Sequence, residues 1–142
     1  MSYSHKNSDW RDKLETMLKP LLTERDELDL WADNRIPAGA DWFKEIYEAM
    51  ATCRVAVLLV SAEFLASDFI RKYELPAVFQ AVDQEEIRLI WLYLSPSIYE
   101  ESKLAKYQAA HDLSKPLDAL PEVEQRRILK EAAFKIKEAM LA

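Results

Sequence analysis

The chain has one glycine, Gly39, among its 142 residues. Phosphate-cradling loops of the Walker and dinucleotide-binding kinds need several glycines within a few residues, because the backbone must approach the phosphate closely there. Both are therefore excluded. A single cysteine, Cys53, rules out an internal disulfide, and two histidines, His5 and His111, leave little from which to build a structural zinc site. A reducing compartment is the expected setting. HExxH, GxSxG and CxxC spacings are also absent.

Long apolar runs are missing too. No run exceeds the six residues of Val55 to Val60, far short of the roughly 18 to 20 residues that cross a bilayer, and no charged-then-apolar leader opens the chain. There is no basic surplus: Lys and Arg number 19 against 25 Asp and Glu, for a net charge of -6. Phosphate backbones and anionic lipid attract the opposite balance. A cytoplasmic protein with no nucleic-acid or membrane partner is expected.

What is present is a chain that is 50% apolar and of a length suited to one core, so residues 1–142 are read as one domain. Two short runs, Val55 to Val60 and Ile87 to Leu94, are continuously apolar apart from Arg88. A strand covered on both faces shows this pattern, and parallel sheets are covered in that way. A weaker strand is expected at Leu28 to Trp31 and a fourth near Ala109 to Leu113.

Between these runs the apolar residues switch to helical spacing. Trp10, Leu14, Met17, Leu18 and Leu21 form one stripe behind Ser8 as N-cap, and Trp42, Ile46, Ala49 and Met50 form another behind Asp41. A third helical stretch covers Ala62 to Val82, and Pro76 is expected to split or kink it. The last helix opens after Pro121 and turns Leu129, Ala133, Ile136 and Met140 inward, with Glu131 and Lys135 paired on its outside. Alternating strand and helix predicts a doubly wound parallel sheet with right-handed crossovers and helices on both faces. Ligands of such sheets collect beyond the carboxyl ends of the strands. The segments that follow the strands are Ser4 to Asp9, Ala32 to Asp41, Ser61 to Glu74 and Ser95 to Tyr99.

Those segments resemble the sequence boxes of the Toll/interleukin-1 receptor (TIR) domain, in its bacterial type. Ser2-Tyr3-Ser4-His5-Lys6 is similar to the end of the family's first strand and the loop after it. Leu30 to Trp42, with Asp33-Asn34-Arg35-Ile36-Pro37-Ala38-Gly39 at its centre, resembles the second strand and the long BB loop. Val57 to Ser67, leading to Tyr73-Glu74-Leu75-Pro76, resembles the third strand and the helix that carries the family's glutamate. The likeness is strong over residues 2 to 80 and looser beyond. It implies a flavodoxin-like sheet of order 2-1-3-4-5 whose first strand is shortened here. Many NAD-cleaving members have Trp-x-x-x-Glu; the equivalent of that Trp is Ile70, with Phe69 one residue away.

The resemblance implies an NAD+ glycohydrolase that cleaves the bond between nicotinamide and ribose, giving nicotinamide and ADP-ribose or a cyclic variant, with self-assembly as its activator. Glu74 is the implied catalytic carboxylate. It would stabilise the positive charge that develops on the ribose, and the leaving group departs neutral without needing a second acid. Ser4 and Ser61 are candidate hydrogen-bonding partners of ribose or phosphate, Lys6 and Arg35 of the pyrophosphate. Trp31, Phe64, Phe69 and Ile70 could line the rings of the substrate, although large aromatic side chains mostly serve a core. NAD+ is then substrate, not cofactor, and no metal is implied.

A competing expectation is a non-catalytic TIR scaffold for homotypic interaction in signalling. There the BB-loop residues Asp33, Asn34, Ile36, Pro37 and Gly39 meet other TIR domains in an oligomer or filament. Asp33, Asn34 and Gly39 equally suit a plain turn. A phosphoacceptor reading shares the fold but needs an aspartate at the end of the third strand, where this chain has Val60-Ser61. His5 and His111 have no spacing that sets up a nucleophile or metal partner.

Overall fold

A computed structural model describes residues 1–23, 44, 47–48 and 53–141. The expected strand at Leu28 to Trp31 and most of the helix behind Asp41 lie outside these residues. Both continuous apolar runs are strands. β1 spans Val55–Val60 and β2 spans Arg88–Tyr93, paired in parallel from Val55↔Arg88 to Val60↔Tyr93.

The N-terminal segment joins the opposite edge of β1. Ser2 bridges Leu58 in parallel, its N–H donating to the Val57 carbonyl at 2.8 Å and its carbonyl accepting from Leu59 N–H at 2.9 Å. The carbonyls of Arg54 and Val60 accept from Arg88 and Leu94, so alternate residues of β1 serve opposite neighbours. β1 is thus the middle of the sheet. Two strands and this bridge are what the described residues contain of it; they do not extend to the expected five-strand order.

β1 has no residue more than 1% exposed, which accounts for its unbroken apolar sequence. Ala56, Leu58 and Val60 face one layer with Phe64, Ile70, Val78, Phe79 and Trp91, while Val55, Val57 and Leu59 face the other with Trp10, Leu14, Leu129 and Ile136. The first layer contains α2 (Ala62–Ala66) and α3 (Leu75–Asp83), the second α1 (Ser8–Leu18) and α4 (Glu122–Leu141). Helices therefore cover both faces of a parallel sheet, as alternation predicts. Arg54 adds a tie across the layers by donating to the Met140 carbonyl at 2.7 Å, near the negative end of α4.

Four local expectations are corrected. Ser8 lies inside α1 and is not its cap; a tight turn, His5–Asn7, precedes it, and Ser4 caps that turn by accepting from Lys6 N–H at 3.3 Å. The break after α2 falls at Ser67, not at Pro76. Ser67 starts the next helical stretch by accepting from Ile70 N–H, a wide turn Ile70–Glu74 follows, and Pro76 sits in the first turn of α3, where its missing N–H costs little. Glu131 and Lys135 do not pair; Lys135 instead donates to the Ala110 carbonyl.

Ala109 to Leu113 is not a strand, although it does occupy the outer edge of β2. Ala110 N–H donates to the Trp91 carbonyl at 2.8 Å, and Tyr93 N–H donates to His111 Nε2 at 2.9 Å. An imidazole takes the place of the next ladder carbonyl, and an Asp112 turn closed by Ser114 then leads the chain away. The half-buried His111 binds a proton less readily than an ordinary histidine, chiefly through burial, with Lys135 adding to the effect and Asp112 opposing it. Farther down β2, Tyr107 stacks on Phe79 and its hydroxyl donates to Asp83. Burial first, and then that bond, push its phenol up to about 12.

Two outcomes are expected. His111 accepts a bond only when neutral, and its folded affinity for protons lies below the unfolded one. Its contribution is therefore complete above about pH 6.5 and declines as pH falls below that value. Urea midpoints should be lower at pH 5.5 than at pH 7.5, and His111→Gln, whose amide oxygen still accepts, should flatten the difference; an unchanged difference would contradict the role. At the end of α3, Glu85 has φ of 59°, a left-handed geometry suited to glycine. Glu85→Gly should raise stability by roughly 0.5 to 1 kcal/mol in chemical denaturation.

Candidate functional site

The wide turn Ile70–Glu74 is closed by Leu75 N–H donating to the Ile70 carbonyl, one residue more than an α-helical ring. Such insertions are often found at functional sites, because they rotate the residues of the bulge relative to the rest of the helix. Here Ile70 and Glu74 are both turned inward, at 5% and 2% exposure, while Arg71 and Lys72 remain outside.

Glu74 is thereby a buried carboxylate. Its Oε2 accepts from the Ser2 hydroxyl at 2.6 Å, and Ser2 is itself 1% exposed. The register explains the meeting: Ser2 pairs with Leu58, so its side chain emerges on the α2–α3 face of the sheet, where Glu74 lies.

A second bond joins the loops beyond the strand ends. Ser61, fully buried directly after β1, accepts from Phe64 N–H at 3.0 Å as the cap of α2 and donates to Asn7 Oδ1 at 2.6 Å. The loop after the N-terminal strand segment and the loop after β1 are thus fixed to one another. Ser61 has both roles already filled by protein. Its place is to hold this rim together.

The other expected residues are distributed unevenly. Phe64 is fully buried in the core beneath Ser61, and Ile70 is packed in the same cluster. Phe69 is half-buried and lies 5.6 Å from the Tyr73 ring, in a tilted contact. Ser4 caps its turn and Lys6 is exposed beside it. Trp31 and Arg35, together with Asp33, Asn34, Ile36, Pro37 and Gly39, lie outside the described residues. Ser2 and Asn7 were missed by sequence reasoning. Asn7 carries a weak signal, a side-chain amide at a helix start, but Ser2 carries none beyond its position in an extended segment.

Past the end of β2, the Tyr93 hydroxyl accepts from Ser97 N–H at 2.8 Å and packs edge-on against Tyr99. This holds the Ser95-to-Tyr99 loop close to the sheet. A cavity of about 480 Å³, lined by residues that include Lys13, Met17, Arg126 and Leu129, opens between α1 and α4. It belongs to the layer opposite Glu74. Among the described residues no group of three or more His, Cys, Asp or Glu could hold a metal ion, and no helix is long and apolar enough to cross a membrane.

Chemically, the arrangement offers one carboxylate held in an apolar layer by a hydroxyl, next to a rim tied together by serine and asparagine. Among the described residues it has neither a nucleophile–base pair nor a metal ligand set. An uncharacterized protein, y4lF of Sinorhizobium fredii, is 30% identical over 124 residues, which cover 87% of this chain and 38% of that protein. The chain thus spans well under half the length of this relative. No solved structure matches. The sequence profile of the TIR domain matches residues 1–127, and by that match the chain belongs to the TIR domain family.

Proposed function

We propose that the chain is a TIR-domain NAD+ glycohydrolase in which Glu74 is the catalytic carboxylate. One observation carries the reading: in a member of this family, the glutamate at the motif position is held at 2% exposure, in a turn whose widened geometry directs it inward. Breaking the nicotinamide–ribose bond leaves positive charge on the sugar. A carboxylate in an apolar, water-poor surrounding stabilises that charge far more than one in bulk water. Nicotinamide leaves as a neutral molecule, so a single carboxylate is sufficient, and water or the adenine ring then captures the ribosyl cation to give the linear or cyclic product.

Ser61 and Asn7 support the reading by fixing the two loops between which the ribose and its phosphates would lie. Self-assembly with other TIR domains through the BB loop, Ile36 and Pro37 in particular, belongs to the same proposal as the step that opens or completes the site. A second reading is a scaffold that binds other TIR domains without turnover, in which the burial of Glu74 serves packing alone.

Incubation of concentrated protein with NAD+, followed by chromatography of the products, separates the two. Release of nicotinamide with ADP-ribose or its cyclic form is expected from the wild type, and Glu74→Gln should lower it by about 100-fold or more at unchanged fold. Equal background from both proteins under assembling conditions would reject the enzyme and leave the scaffold.

A further inference from the structure

Of all the polar contacts among the described residues, the one between Ser2 and Glu74 joins two side chains that are both almost fully buried, 72 positions apart in sequence. It is set in a rigid frame. The Ser2 backbone is clamped on both sides, by the Val57 carbonyl and the Leu59 N–H, so its Cβ cannot move without breaking the bridge to β1. The hydroxyl donates to Glu74 Oε2 at 2.6 Å, the short end of the range for a hydroxyl on a carboxylate. On the other side, Glu74 is held by the wide turn and by Ile70 and Leu75 on either flank, each 5% exposed.

We propose that Ser2 is the positioning residue of Glu74: its hydroxyl fixes the carboxylate in the one rotamer that the nicotinamide–ribose cleavage uses. This rests on the glycohydrolase reading. A physical argument supports it. A glutamate has three side-chain torsions, and catalysis by charge stabilisation depends on where the oxygens stand to within a fraction of an ångström, so an anchor on one oxygen reduces the conformations available to the other. Ser2, and not the nearby Ser4, meets this need, because strand alternation places the two on one face of the chain but only Ser2 pairs with β1.

The test uses the full chain with NAD+ as probe. It compares wild type, Ser2→Ala and Ser2→Thr for kcat and KM, with thermal melts to check the fold. Ser2→Ala should lower kcat by 10- to 100-fold with KM changed less than threefold. Ser2→Thr, which restores the hydroxyl, should recover most of kcat. Wild-type turnover in Ser2→Ala would overturn the positioning role alone. So would a loss of rate that only follows the fraction unfolded. No nicotinamide from the wild type would overturn the glycohydrolase reading together with the role assigned to Ser2.

Discussion

A carboxylate removed from water has to find donors inside the protein, since an uncompensated buried charge costs more than most single contacts can return. Glu74 meets this requirement in part through Ser2, and much of the architecture around it is arranged to let the two meet. The N-terminal segment must lie in parallel register against β1, Ser2 must stand opposite Leu58, and the helical stretch after β1 must widen so that its glutamate turns to the sheet. Each condition is enforced by backbone hydrogen bonds, which are costly to leave unmade in a buried strand.

The middle position of β1 is what makes those conditions compatible. It is covered by helices on both faces, bonded to β2 on one edge and to the N-terminal segment on the other, and it delivers Ser61 to the rim as the chain leaves the sheet. The same economy appears at the far edge of β2. There a histidine ring and one amide occupy the edge, so that Trp91 and Tyr93 keep their bonds without a full additional strand. Edges closed by side chains answer the same need as edges closed by strands, because what an exposed ladder group requires is a partner of the right polarity.

The candidate site and the core share residues here. Phe64 and Ile70 pack under the rim, while Ser61 caps α2 and ties the loops in one arrangement. A site built this way is rigid because its supports are the fold's own. The layer containing α1 and α4 carries a separate cavity and the basic and acidic side chains Lys13, Arg126, Asp12 and Glu122 around it. The sheet lies between the two, and nothing in the proposed chemistry crosses it.

Periodicity and composition alone located β1 and β2, the inward stripes of α1 and α4, and the sandwich of helices around a parallel sheet, because burial imprints its period directly on the residues buried. The resemblance of its surrounding motif drew attention to Glu74, and the structure buries that side chain. Tertiary structure decided what the period does not encode: the bond from Ser2 to Glu74, the tie between Asn7 and Ser61 across 54 positions, the imidazole of His111 standing in for a strand, the break at Ser67 and the wide turn just before Pro76. These depend on which polar atoms arrive within about 3 Å of one another once the chain has closed, a long-range outcome that no local pattern of residue types contains.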